Sequence, residues 1–229
     1  MSFGKNYIGS SNKEISQGSE TRQVGNNNEK RAKFDALPSP EVNSADVRNI
    51  PRGQGYSRNI IDWLNKNDVL GDYRNVDKGW DIAFNNRSVR SVLSHGAADG
   101  KVALLKYAPD LIENGVYLTT TIKNSDGTYK EATAKEIDNA DIPKSHILAA
   151  KADIDGREST IGIVVKEDRN GRRYYDHAIK IGEEEIPGNT NQRASEVSPE
   201  SPSTISNIVQ KHLAVNNKNT ETAKIPANY

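Results

Sequence analysis

The stretch His146-Ile147-Leu148-Ala149-Ala150-Lys151-Ala152-Asp153-Ile154-Asp155-Gly156, followed by Thr160 to Lys166, by Asn170-Gly171 and by Arg172 to Ile181, decides the fold. Two Asx-Gly pairs separate three short runs rich in Ile, Val and Tyr. Asp-Gly and Asn-Gly accept the left-handed backbone that tight hairpins need. The sequence therefore predicts strands over His146–Ile154, Thr160–Lys166 and Arg172–Ile181. Val116 to Ile122, rich in Val, Tyr and Thr, predicts a fourth, with a turn at Asp126-Gly127 and a short helical excursion over Glu131–Asn139. Upstream the apolar period is helical. Ser57 caps a helix carrying Ile60, Ile61 and Leu64; Trp80, Ile82 and Phe84 form an alternating patch; Ser88–Leu93 is a second helix. Lys101–Glu113 is a third, interrupted by Pro109 and closed at Asn114-Gly115 by a left-handed residue. Helices first and strands after predict an α+β domain, N-terminal helices packed on a four-stranded antiparallel β-meander over residues 57–182.

Outward from this unit the composition turns polar. Residues 1–50 are Asn-, Ser-, Gly- and Glu-rich and read as a disordered arm. Residues 183–203 open on Glu183-Glu184-Glu185 and read as an acidic, Ser/Pro-containing linker. Thr204 to Leu213 places Ile205, Ile208, Val209 and Leu213 on one helical face, giving a short amphipathic helix over 204–214 before a disordered tail, 215–229. Only 34% of the 229 residues are hydrophobic, which fits a core confined to part of the chain. No apolar run is long enough for a transmembrane helix. Met1-Ser2-Phe3-Gly4-Lys5 does not follow the plan of a secretion signal, so the expected location is the cytoplasm. Without cysteine there is neither a disulfide framework nor a thiolate nucleophile. Lys plus Arg and Asp plus Glu balance at 31 each, so a nucleic-acid partner needs a local basic patch.

Turn lengths give an approximate register. If Ile154 faces Ser159, His146 lies opposite Glu167; if Glu167 faces Arg172, His146 and Arg172 share a transverse row. His146, Lys166, Arg172 and Arg173 then gather at one end of the sheet. By alternation His177 shares a face with Arg173, Tyr175, Ile179 and Ile181.

RNA carries its own nucleophile, the 2′-OH, so cleaving it needs a base, an acid and cations for the phosphorane. His95, His146, His177 and Tyr174 are the candidate proton-transfer residues, and Lys101, Arg172 and Arg173 the candidate phosphate-binding ones. His95 or His146 is the candidate base and His177 the acid. Each has a plainer reading: His95 as a helix-end residue, His146 as an edge histidine in solvent, His177 as a core-facing, hydrogen-bonded ring beside aromatics. Metal-ligand spacing, phosphate-cradling glycine loops and a serine nucleophile elbow are absent, so no metal or other cofactor is expected.

The segments Trp80-Asp81-Ile82-Ala83-Phe84-Asn85, Ser88 to His95, Pro109 to Asn114, Tyr117-Leu118-Thr119-Thr120, His146 to Lys151, Ile154-Asp155-Gly156 and Asn170 to His177, in this order, resemble the large polyvalent protein-associated domains, most of all the third type. The resemblance spans about Lys78 to Ile181. Such domains occur in large multidomain proteins of bacteriophages and conjugative elements that are thought to enter a new host cell with the DNA. The layout is also similar to the barnase–EndoU–colicin–RelE nuclease fold. That likeness implies a metal-independent endoribonuclease acting as an effector or toxin on RNA or tRNA, with His95, His146, Arg172, Tyr174 and His177 as its site. The alternative is a non-catalytic module that protects the incoming element by binding a host protein or nucleic acid. The C-terminal amphipathic helix is then a surface for an immunity or host protein.

Overall fold

The computed structural model describes residues 26–94, 96–125, 128–181 and 202–214. The chain is α+β, but the sheet is larger than a four-stranded meander and is mixed. Eight strands run in the order β2-β3-β8-β7-β6-β4-β5, with β1 added to the far end of β6. They are β1 (Glu41–Val42), β2 (Gly71–Asn75), β3 (Trp80–Phe84), β4 (Val116–Lys123), β5 (Tyr129–Glu131), β6 (Lys144–Ile154), β7 (Arg157–Glu167) and β8 (Arg173–Ile181). The four strands expected from the sequence are β4, β6, β7 and β8, and they pair antiparallel in that order. The remainder departs from a meander. β3 joins β8 in parallel through Ile82 and Ala83 only, and β1 joins β6 in parallel at Asp153 and Ile154.

Both faces of the sheet are covered, which is why β6 reads as a nearly unbroken apolar run rather than an alternating one. On the first face, α2 (Tyr56–Lys66), α3 (Asn86–Ser94), α4 (Asp99–Leu104) and α5 (Ala108–Asn114) pack over Leu148, Ala150, Ile161, Ile163, Val165 and Tyr175. On the second, a helix at residues 26–35 (α1) and α7 (Pro202–Leu213) bring Phe34, Ile205, Val209 and Leu213 against Val116, Leu118, Ile147, Ala149 and Val164. Residues 26–50, polar enough to read as an arm, thus carry α1, β1 and a 3-10 turn (Ser44–Val47). Of their apolar side chains, Phe34, Val42 and Val47 are buried and Leu37 and Ile50 partly so. The acidic linker and the tail lie outside the described residues, as do residues 1–25.

Pro109 acts as expected. It sits in the first turn of α5, after a 3-10 turn (Leu105–Tyr107) has ended α4. Two local expectations need correction. The N-cap of α2 is Gly55, at φ 87°, and not Ser57. Gly115 is not left-handed, having φ −57°; a Cβ there would lie 2.7 Å from the Leu111 carbonyl and 3.3 Å from Leu148 Cβ, so the glycine serves close approach of α5 to β6. The excursion before β6 is α6 (Ala134–Ile137), held by a capping box between Thr133 and Glu136. Among the described residues no helix is long and apolar enough to cross a membrane.

The register explains the rest. Asp155 and Gly156 both have positive φ, 52° and 80°, so the β6–β7 turn is a two-residue hairpin of the primed kind and Ile154 faces Arg157. His146 therefore lies opposite Val165, two residues from the sequence expectation, and its row continues to Tyr175 rather than Arg172. Between Tyr175 and His177 the ladder slips: Val165 faces Tyr175, Val164 faces His177, and Asp176 is the extra residue of a β-bulge. The bulge breaks the alternation, so His177 does not share a face with Arg173 and Tyr175.

Candidate functional site

Pairing to Val165 and Val164 places His146 on the first face of the sheet and His177 on the second. Each is only 1% exposed. His95 lies outside the described residues. Lys101 follows Gly100, which packs on Ile154, at the end of β6 opposite His146 and about 25 Å away at a strand's rise per residue. It is half-buried, and burial alone holds its ammonium below the usual lysine value. Arg172 is exposed in the β7–β8 turn, where its N–H donates to Asp168 Oδ1 at 3.0 Å. Tyr174 lies beneath Arg87 of α3, with the guanidinium carbon 4.5 Å from its ring centre. Of the residues expected from the sequence, the structure brings together His146 and Arg173.

What joins them is Glu167. Its Oε2 is 3.3 Å from His146 Nε2 and also pairs with Arg173, while Oε1 accepts from Lys144 Nζ at 3.0 Å. Lys144, Glu167 and Arg173 form one transverse row across β6, β7 and β8. Burial opposes ionisation of Glu167, but the lysine, arginine and histidine around it hold the carboxyl below its ordinary value. An ionised carboxylate only accepts hydrogen bonds, so His146 Nε2 carries the proton and donates. Nδ1 then accepts from Thr120 Oγ1 at 2.8 Å, and that hydroxyl accepts from Tyr117 at 2.8 Å. Burial outweighs the pull of Glu167 and pushes His146 down to about 4, keeping the ring neutral at neutral pH.

Trp80 closes over this network, its ring centroid 4.5 Å from that of His146 and 5.4 Å from that of Tyr117. The outer side carries cations: Arg173 Cζ is 4.6 Å from the Trp80 centroid, and Lys78 Nζ lies 5.2 Å from Trp80 and 4.7 Å from Tyr117. His177 has a separate environment. Its Nδ1 lies 2.9 Å from Asp176 Oδ2, an oxygen that also meets Lys166 at 3.1 Å, while Oδ1 accepts from Ser91 at 2.6 Å. Burial opposes ionisation of Asp176, yet these partners hold its carboxyl far below the usual range. This matches the plainer reading of His177 as a hydrogen-bonded core residue.

Sequence reasoning did not bring Glu167, Lys144, Trp80, Tyr117 and Thr120 together as one site. The signal for two of them was present: a two-residue turn at Asp155-Gly156 sets Lys144 opposite Glu167. Among the described residues, no three His, Cys, Asp or Glu side chains are placed to hold a metal ion.

A family model for the large polyvalent protein-associated domain 3 matches residues 54–175, slightly more than half of the chain. The chain belongs to this family. The matched span of the polyvalent protein-associated domain contains β2 to β7, the start of β8, and the whole Trp80–His146–Glu167 cluster. The helices α1 and α7, which cover the second face, fall outside it. Neither a curated protein nor a solved structure matches the chain.

Proposed function

We propose that this polyvalent protein-associated domain is a non-catalytic module that binds single-stranded RNA at the cation–aromatic end of its sheet. The observation that carries this reading is the layering of Lys78 and Arg173 over Trp80 and Tyr117, with His146 sealed beneath. Unpaired bases stack on aromatic rings while phosphates take the neighbouring cations, a combination that works on a chain of zero net charge because it is local. Arg172 and Arg169 are exposed in the adjoining β7–β8 turn and extend the basic surface. The histidines, on opposite faces and both buried, serve the framework. In a protein that enters a cell with incoming DNA, such a module engages host transcripts or tRNA in the cytoplasm.

The test is anisotropy of a labelled single-stranded RNA titrated with the full chain at low salt, followed by a gel of the same RNA. Expected are saturable binding, about tenfold loss in Lys78→Ala or Arg172→Ala by analogy with single phosphate contacts, and intact RNA. A folded chain that leaves the anisotropy unchanged overturns the reading.

A second reading, the metal-independent endoribonuclease, is favoured by one observation. Glu167 supplies a carboxylate 3.3 Å from His146, flanked by Lys144 and Arg173: one base, one acid and two cations in one cluster. It requires Trp80 and Arg173 to move aside, because His146 is 1% exposed. Cleavage of the RNA in chelator, abolished by His146→Ala and Glu167→Gln while His177→Ala and His95→Ala still cut, would select it.

A further inference from the structure

The second face of the sheet is lined by Val116, Leu118, Ile147, Ala149 and Val164, all inside the family span, whereas Phe34, Ile205, Val209 and Leu213, which cover it, lie outside that span. The seat for α7 is shaped. Gly162 of β7 has no side chain where α7 crosses it: a Cβ there would stand 2.8 Å from Ile205 Cγ2 and 3.3 Å from Val209 Cγ2. Ile205, Val209 and Leu213 recur every four residues, so one helical stripe fills the pit and the groove beyond it. Glu131 of β5 fixes the far end, accepting from Lys211 Nζ at 2.6 Å and from His212 Nε2 at 3.2 Å. Thr119 of β4 holds that carboxylate at 3.2 Å. Lys30 of α1 donates to the Leu118 carbonyl at 2.6 Å and lies 3.4 Å from His212 Nδ1.

A pit for a β-branched side chain and an acidic post for a Lys-His pair are recognition features, not only core packing. We infer that the second face of the domain is a helix-receiving groove, and that residues 202–214 are its ligand, separable from the domain and able to bind in trans from a second copy of the chain or as a free peptide. In the intact chain this helix is held at the high effective concentration of a tether, which keeps the groove filled.

The probe is a fluorescein-labelled peptide of residues 202–214, titrated into three full-length chains: wild type, Ile205→Asp/Val209→Asp, and the same double variant with Gly162→Ala. The double variant is expected to bind the peptide at least tenfold more tightly than wild type, whose own α7 competes. Gly162→Ala in that background, where the two nearest contacts from α7 are absent until peptide arrives, is expected to weaken binding at least tenfold. Native-state hydrogen exchange on wild type supplies the second measurement: α7 amides should exchange faster than those of β6 and β7. Loss of the fold in the double variant, no peptide binding by it, indifference to Gly162→Ala, or α7 amides released only together with the sheet each overturn the inference.

Discussion

Trp80 packs on His146 at a centroid distance of 4.5 Å although two strands, β8 and β7, separate theirs in the sheet. The contact exists because β3 pairs with β8 only at Ile82 and Ala83, so the hairpin tip that precedes them is free of β8 and reaches across the first face to His146. Asn75, fully buried, anchors the tip by donating to the carbonyls of Ile112 at 2.8 Å and Gly115 at 2.7 Å. Asp77 Oδ2 accepts from the Tyr117 N–H at 3.0 Å.

Removing that anchor should lift the hairpin. Asn75→Ala leaves two buried carbonyls unsatisfied and should cost about 1–3 kcal/mol in urea unfolding. In a Trp63→Phe background the emission of Trp80 should shift to the red. Unchanged emission together with unchanged stability would mean that the tip is held by other contacts.

The buried charge row makes a sharper claim about coupling. Glu167→Ala strands Lys144, whose side chain is 4% exposed, and should cost about 3–5 kcal/mol. Replacing both residues by apolar ones of similar size, Lys144→Met with Glu167→Leu, should cost far less than the sum of the single changes. Additive losses in a double-mutant cycle would deny that the two charges depend on each other.

Acid should weaken the fold in a defined window. His146 titrates at about 4 in the folded chain and near its ordinary 6.5 when unfolded, so between these values the unfolded state binds more protons. Stability is therefore full above the upper value and falls as pH drops toward the lower one, by about 3 kcal/mol from this group. Glu167 and Asp176, both held below their ordinary values, keep their contributions until pH falls through those lower values. Urea midpoints measured from pH 7 to pH 4.5 should decline, and His146→Gln should flatten the curve. A flat wild-type profile would contradict the neutral, buried imidazole.

If RNA lies on the cation–aromatic surface, affinity should fall with salt in proportion to the phosphates neutralised. Each contact contributes about 0.7 to the logarithmic slope for a single strand. Lys78→Ala should lower the slope by about that amount and leave the urea midpoint unmoved, since Lys78 is exposed. A slope identical to wild type would remove Lys78 from the interface.

Much of the fold was readable because the strand runs and their Gly turns are local signals: Asp155-Gly156 and Val116–Lys123 say what they are within a few residues. The partners that complete the sheet were not, because β1 and β3 pair in parallel with strands more than 80 residues away in sequence, and no local pattern records such pairing. The site was half legible. Lys144, Glu167 and Arg173 follow from correct turn lengths, but the extra residue Asp176 is invisible in an apolar alternation and sends His177 to the other side. Trp80 reads as an ordinary strand residue; only the swing of its hairpin brings it over His146.

The order in which the two sides are finished also matters during synthesis. The helices of the first side precede most of the strands, whereas α7 emerges roughly 30 residues after β8, a delay of about 2–6 seconds at ribosomal speed. Over that interval a strip of Val, Ile and Leu faces solvent with only α1 against it. A chain truncated before Ile205 should therefore fold yet leave this strip open, and bind a hydrophobic dye more strongly than the full chain does.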